Sequence, residues 1–169
     1  YGLFFHDWRV RPPLEWLELL GEREVSAAPL EVERDVAASQ VATVVRLSDE
    51  AFAEGVRRAL KSLGRADALR DSVLLTTPVV LARSGPAADL PRRAAVLRDL
   101  IRDAAARMEA SPRDRRAFRA LHHTYLQPAA TQAEAARLLD LPMTTYRRHL
   151  AAGIERLTQL LRQEDLDVG

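Results

Sequence analysis

The sequence has no cysteine and a single lysine, Lys61. Without thiols there is no disulfide framework, no thiolate nucleophile and no thiolate metal site. No run approaches the ~18 consecutive apolar residues of a membrane-spanning helix. The opening Tyr1, Gly2, Leu3, Phe4, Phe5, His6 and Asp7 lacks the basic start and long apolar stretch of a signal peptide. A Walker A run, a GxGxxG turn and a nucleophile elbow are missing too, and acidic residues are scattered beside Arg at helical spacing, as with Glu54 and Arg57, with no spacing that suggests a paired-carboxylate site. These absences lead us to expect a cytoplasmic protein that is not an enzyme, uses no cofactor and meets no membrane. Because the chain opens at Tyr1 rather than Met, it is also expected to be a fragment of a longer polypeptide, with an upstream domain of the same parent chain as one partner.

What is present is globular in composition. The 169 residues are 47% apolar and 29% charged, enough to bury a sizeable core. Of the 25 basic residues all but Lys61 are Arg, a bias expected of a GC-rich genome and not in itself a nucleic-acid signal. The net charge of +1 points to no partner either, but its distribution is uneven. Residues 1–47 carry a net of −3 and residues 48–110 a net of +2. Residues 111–163 hold nine basic against four acidic side chains, and Glu164, Asp165 and Asp167 follow.

Periodicity argues for an all-α chain: a helical N-terminal part followed by a C-terminal helix-turn-helix bundle. Residues 1–47 form an N-terminal segment of unsettled structure, in which Pro13 suits a helix start over residues 14–20 and residues 30–47 read as either strand or helix. Residues 48–110 form a helical domain. Ser48 with Asp49 and Glu50 makes an N-terminal cap, and Phe52, Val56, Ala59, Leu60 and Leu63 share one face. A short helix is expected over 66–75 and a brief apolar element over 78–83. A long helix over 91–110 has Ala94, Leu97, Ile101, Ala104, Ala105 and Met108 inward, with Arg92, Arg93, Asp99, Arg102 and Asp103 outward. Pro112 then takes the first position of a helix running to residue 126.

Residues 111–169 form the informative domain. Thr131 caps a short helix to Leu139, with Glu134 three residues on as a capping box requires. Asp140 to Met143 turn, and Thr144 caps a second helix reaching Arg162. Two helices joined by so short a turn make a helix-turn-helix. Ala136 is small where the helices cross, Leu138, Leu139 and Leu141 are apolar beside the turn, and Tyr146, Leu150, Ile154, Leu157 and Leu161 stripe one face of the second helix. Thr144, Arg147, Arg148 and Ala151 lie opposite, with Thr145 and His149 on the flank. Hydroxyls and arginines on an exposed helix start suit phosphate binding and the bidentate reading of guanine. The adjacent His122 and His123 diverge by about 100° on a helix and cannot chelate one ion together; no metal site is expected.

The run from Ala136 to Leu150 resembles the helix-turn-helix of LuxR-type regulators and of sigma-factor region four, over roughly residues 113–162. Asp140 stands where those families usually place Gly, in a turn that often needs a left-handed residue, and Tyr146 replaces their usual Val or Ile. The resemblance implies the DNA-binding portion of a larger bacterial transcriptional regulator or signalling protein. It implies double-stranded DNA as partner, with Thr145, Arg147 and Arg148 contacting DNA and Arg137 on phosphate, in a possible homodimer; the residues themselves add Thr144 at the exposed helix start and Arg113 and Arg116 as further phosphate contacts. The alternative is a helical protein-interaction module of a larger signalling ATPase that does not bind DNA.

Overall fold

The computed structural model describes residues 44–65 and 67–168, and among these it is all-helical, without strands. The expectations placed on residues 1–43, including the helix over 14–20, lie outside the described residues. No helix among the described residues is long and apolar enough to cross a membrane.

Helix α1 spans Asp49–Ser62, and the Ser48 hydroxyl accepts from Ala51 N at 3.2 Å, as the cap motif requires. Its buried face is Phe52, Gly55, Val56, Ala59 and Leu60. The helix expected over 66–75 is instead two 3₁₀ turns, Asp67–Leu69 and Val73–Thr76. Packing explains the break. Leu69 and Leu74 would diverge by about 140° on one α-helix, yet both are buried here. The Ser72 hydroxyl, accepting from Leu74 N at 3.3 Å, starts the second turn.

Helix α2, Pro78–Ser84, is short and buried on nearly every side, and Gly85 ends it at φ +89°. Helix α3 spans Leu90–Ala110, capped by Asp89, which accepts from Arg92 N at 2.9 Å. The six expected core residues are all buried, joined by Leu100. Arg93, expected outward, is instead buried, because the α2–α3 loop folds over the helix start and Pro86 O takes its guanidinium at 3.1 Å.

Pro112 does not open the next helix. Asp114 N and Arg115 N both donate to Ser111 O, closing a turn, and α4 begins at Arg115 and runs to Leu121. The coil then widens into a π-helical turn, His122–Leu126, closed by Gln127 N donating to His122 O at 2.9 Å. Helix α5 is Gln132–Leu138 and helix α6 is Met143–Val168.

Helix α6, about 39 Å long at 1.5 Å per residue, passes the expected end at Arg162. Acidic side chains at a helix C-terminus oppose its dipole; here each is held by a partner from another element or from the helix itself. Glu164 accepts from Arg83 at 3.0 Å and Arg107 at 2.6 Å, and buried Asp165 accepts from Val79 N at 3.1 Å, capping α2. Arg162 reaches Asp49 and Leu47 O and lies over the Phe52 ring, 5.1 Å from its centroid. Buried residues from α1 through α6 belong to one hydrophobic cluster.

Helices α4 and α6 run antiparallel. Asp114 meets Arg156 at 3.1 Å, Ala117 faces Gly153, and Ala120 O meets the Tyr146 hydroxyl at 3.3 Å. A Cβ at Gly153 would lie 2.7 Å from Ala117 O, so only glycine permits this approach. Helix propensity alone favours Ala over Gly by about 1 kcal/mol. We expect the opposite sign from Gly153→Ala: a loss of about 2 kcal/mol in urea unfolding, because the helices must part. A gain in stability would show that the close crossing is wrong.

Candidate nucleic-acid interface

The turn between α5 and α6 is built by backbone chemistry that the sequence only partly reveals. Thr131 Oγ1 accepts from Glu134 N at 3.1 Å, while the Glu134 carboxylate makes no return bond, so half of the expected capping box forms. At the other end of α5, Asp140 N donates to Arg137 O and Leu141 N to Ala136 O, each at 3.0 Å. This pairing is a Schellman motif, and Asp140 occupies its left-handed position at φ +53°. Among the described residues no other non-glycine residue has positive φ. The departure from Gly noted in the sequence therefore falls on the one position where the left-handed conformation is needed, which Asp adopts more readily than most residues.

Thr144 is not the cap of α6. The helix starts at Met143, and Tyr146 N donates to Pro142 O at 2.9 Å, so Thr144 is already inside the first turn. Its hydroxyl is left to solvent. Pro142 serves here because its carbonyl can accept the first helical bond while its ring ends the preceding turn.

Tyr146 anchors this end of α6. It is fully buried, and its hydroxyl meets Thr124 Oγ1 at 2.6 Å and Ala120 O at 3.3 Å. Thr124 Oγ1 also donates to Ala120 O at 2.8 Å. A Val or Ile here could not reach the π-helical turn. Ala135, Ala136 and Leu150 are buried around it, and Leu139 and Leu141 are partly buried. Leu138, expected to pack beside the turn, is instead 60% exposed, because the helix ends with that side chain on its outer face.

The residues expected at DNA divide by position. Thr144, Arg147 and Arg148 are exposed on the side of α6 opposite Tyr146, Leu150 and Gly153, with Thr145 half-buried on the flank. Arg137 is exposed in the last turn of α5, next to the tight turn. Arg113 and Arg116 are exposed at the start of α4, beside Asp114, which contacts Arg156. That places them near the middle of α6, about 12 Å along its axis from Arg148 at 1.5 Å per residue. The structure thus groups Thr144, Thr145, Arg147, Arg148 and Arg137 at one end and sets Arg113 and Arg116 apart.

Ion pairing separates the arginines further. Of the nine in residues 111–163, Arg156 pairs with Asp114 and Arg162 with Asp49 and Asp165. Arg113, Arg115, Arg116, Arg119, Arg137, Arg147 and Arg148 have no carboxylate partner among the described residues. The acidic tail does not neutralise them: Glu164 and Asp165 are held as described above, and Asp167 accepts from Gln163 at 2.7 Å.

The rings of His122 and His123 meet edge to face, 5.1 Å between centroids, and His122 also packs on Phe118 at 5.5 Å. Burial, followed by the neighbouring His122 and Arg119, holds the His123 imidazole below its ordinary pKa. His149 is half-buried. Among the described residues no group of His, Asp and Glu is arranged to hold a metal ion.

No family model, no curated protein and no solved structure matches the chain.

Two outcomes follow from this geometry. Asp140→Val should lower stability by about 1–2 kcal/mol in denaturant unfolding, since a β-branched residue is strained at positive φ; an unchanged midpoint would argue against the Schellman turn. His123 binds its proton less readily folded than unfolded, so its contribution is present above about pH 6.5 and is lost as pH falls through the lowered pKa. The thermal midpoint of His123→Gln should therefore fall less than that of wild type between neutral pH and pH 5.

Proposed function

We propose that residues 111–169 are the DNA-binding, helix-turn-helix unit of a larger transcriptional regulator, with the first turns of α6 entering the major groove. The carrying observation is the set of exposed arginines without carboxylate partners among the described residues, with Arg147 and Arg148 on the solvent side of α6. The left-handed Asp140 turn and the resemblance to LuxR-type regulators and sigma-factor region four support the same reading. In it, Arg147 and Arg148 read base edges, Thr144 and Thr145 contact the groove wall, and Arg137 neutralises a phosphate. Arg113 and Arg116, some two turns of α6 away, meet phosphates farther along the duplex.

A second reading, a protein-interaction module that never meets DNA, is favoured by one feature: Leu138, a large apolar side chain, is 60% exposed beside the turn. The arginines favour the DNA reading, because a polyanion gives a reason for so many of them to stand without carboxylates among the described residues.

Fluorescence anisotropy on mixed-sequence duplex DNA across a salt series tests the proposal. Affinity should fall linearly in log salt, and Arg147→Ala with Arg148→Ala should cost about 1–3 kcal/mol per lost base contact. No binding at low salt would overturn the DNA reading and leave the protein-interaction one.

A further inference from the structure

A groove of about 640 Å³ opens between the end of α1, the middle of α3 and the π-helical turn. Its size falls within the ~300–1,000 Å³ usual for small-molecule sites. Leu60, Leu63, Ala105 and Phe118 are buried residues of the lining and make its apolar floor. Around this floor stand Lys61, Arg102, His122 and Tyr125.

These polar groups are uncommitted. Lys61, His122 and the Tyr125 hydroxyl make no hydrogen bond or ion pair among the described residues. Arg102 has only a 4.0 Å contact with Asp99 on its own helix. Glu109 is the one carboxylate in the lining. Two permanent cations against one carboxylate leave a single net positive charge, which suits a monoanion and disfavours a dianion. A partly buried tyrosine hydroxyl adds a neutral donor beside the apolar floor.

The groove wall also touches the anchor of α6. Thr124 lines the groove, and its hydroxyl is the one 2.6 Å from that of Tyr146. Single-turn π segments occur often at functional sites, and this one forms the wall between groove and anchor.

We propose that the groove is a binding site for a small amphipathic monoanion, with a planar apolar body on the leucine floor and a carboxylate at Lys61 and Arg102. Occupancy moves the π-helical turn and is felt at Tyr146. The site stands independently of DNA binding; only its meaning as a regulator of DNA affinity rests on the function proposed above.

Sodium salicylate is the probe, titrated into ¹⁵N-labelled full chain at constant ionic strength, with uncharged salicylamide as the control. Saturable shifts are expected at the amides of Leu63, His122 and Tyr125, and in the same titration at Tyr146. Lys61→Gln should weaken salicylate about tenfold, the loss of one charge-assisted contact. Salicylamide should bind more weakly than salicylate to wild type. Ala106→Trp, at an exposed lining position, fills the groove without disturbing the core and should abolish the shifts. Shifts that do not saturate, that map to residues 113–119 instead, or that survive both substitutions would overturn the site. Saturable shifts that spare Tyr146 would overturn the coupling. Arg147→Ala with Arg148→Ala should leave the salicylate shifts intact, so failure of the DNA reading and failure of this one are separately visible.

Discussion

The crossing of α4 and α6 at Gly153 is the constraint on which the rest of the structure depends. With Ala117 O only 2.7 Å from where a Cβ at Gly153 would stand, the two helices pack backbone to backbone, and the other contacts along α6 take their register from that point. Toward the N-terminus the register brings Tyr146 beneath Thr124 and Ala120. In the other direction it brings Arg156 to Asp114, and farther on it delivers Glu164 and Asp165 to Arg83, Arg107 and the start of α2. One helix of 26 residues is thereby held at both ends by different kinds of force. A buried aromatic with a shared hydroxyl holds one end, and a cluster of ion pairs and a borrowed helix cap holds the other.

Charge is sorted by this arrangement. The acids of the C-terminal turn sit next to arginines from α2, α3 and their own helix, where the dipole would otherwise make them unfavourable. Exposed ion pairs of this kind contribute little individually. Asp165 differs because it is buried and caps a backbone N–H, so its carboxylate is needed where it is. The consequence at the other end is that Arg137, Arg147 and Arg148 keep their charge uncompensated among the described residues. The proposed function uses that separation: the acidic residues close the fold while the arginines remain available to phosphate and bases.

The π-helical turn between α4 and α5 lies where two demands meet. Thr124 and Tyr146 both direct their hydroxyls to the region of Ala120 O, and Gln127 N finds its acceptor five residues back at His122 O. The wider coil turns Tyr125 into the groove beside Lys61 and Arg102 while keeping Thr124 on the anchor of α6. A regular α-helix would carry these side chains through different angles.

Much of this was legible in the amino-acid order because it depends on local chemistry. Ser48 and Thr131 cap their helices, the apolar face of α3 repeats at helical spacing, and Asp140 stands where a left-handed residue is required. Each of these follows from neighbours within about one helical turn. Contacts beyond about one helical turn were not legible. That Leu69 and Leu74 both face inward breaks an expected helix into 3₁₀ turns, and that Pro86 O approaches Arg93 turns an expected surface arginine inward. The length of α6 was missed for the same reason, since its acidic last turns read as a tail until Arg83, Arg107 and Val79 N meet them. For the candidate site, the sequence identified the arginines and the turn, but only the tertiary structure decided which arginines lack acidic neighbours and how far Arg113 and Arg116 stand from Arg148. Helix formation and capping are settled by residues a turn apart, whereas charge compensation and close crossings depend on which distant backbones the core draws together.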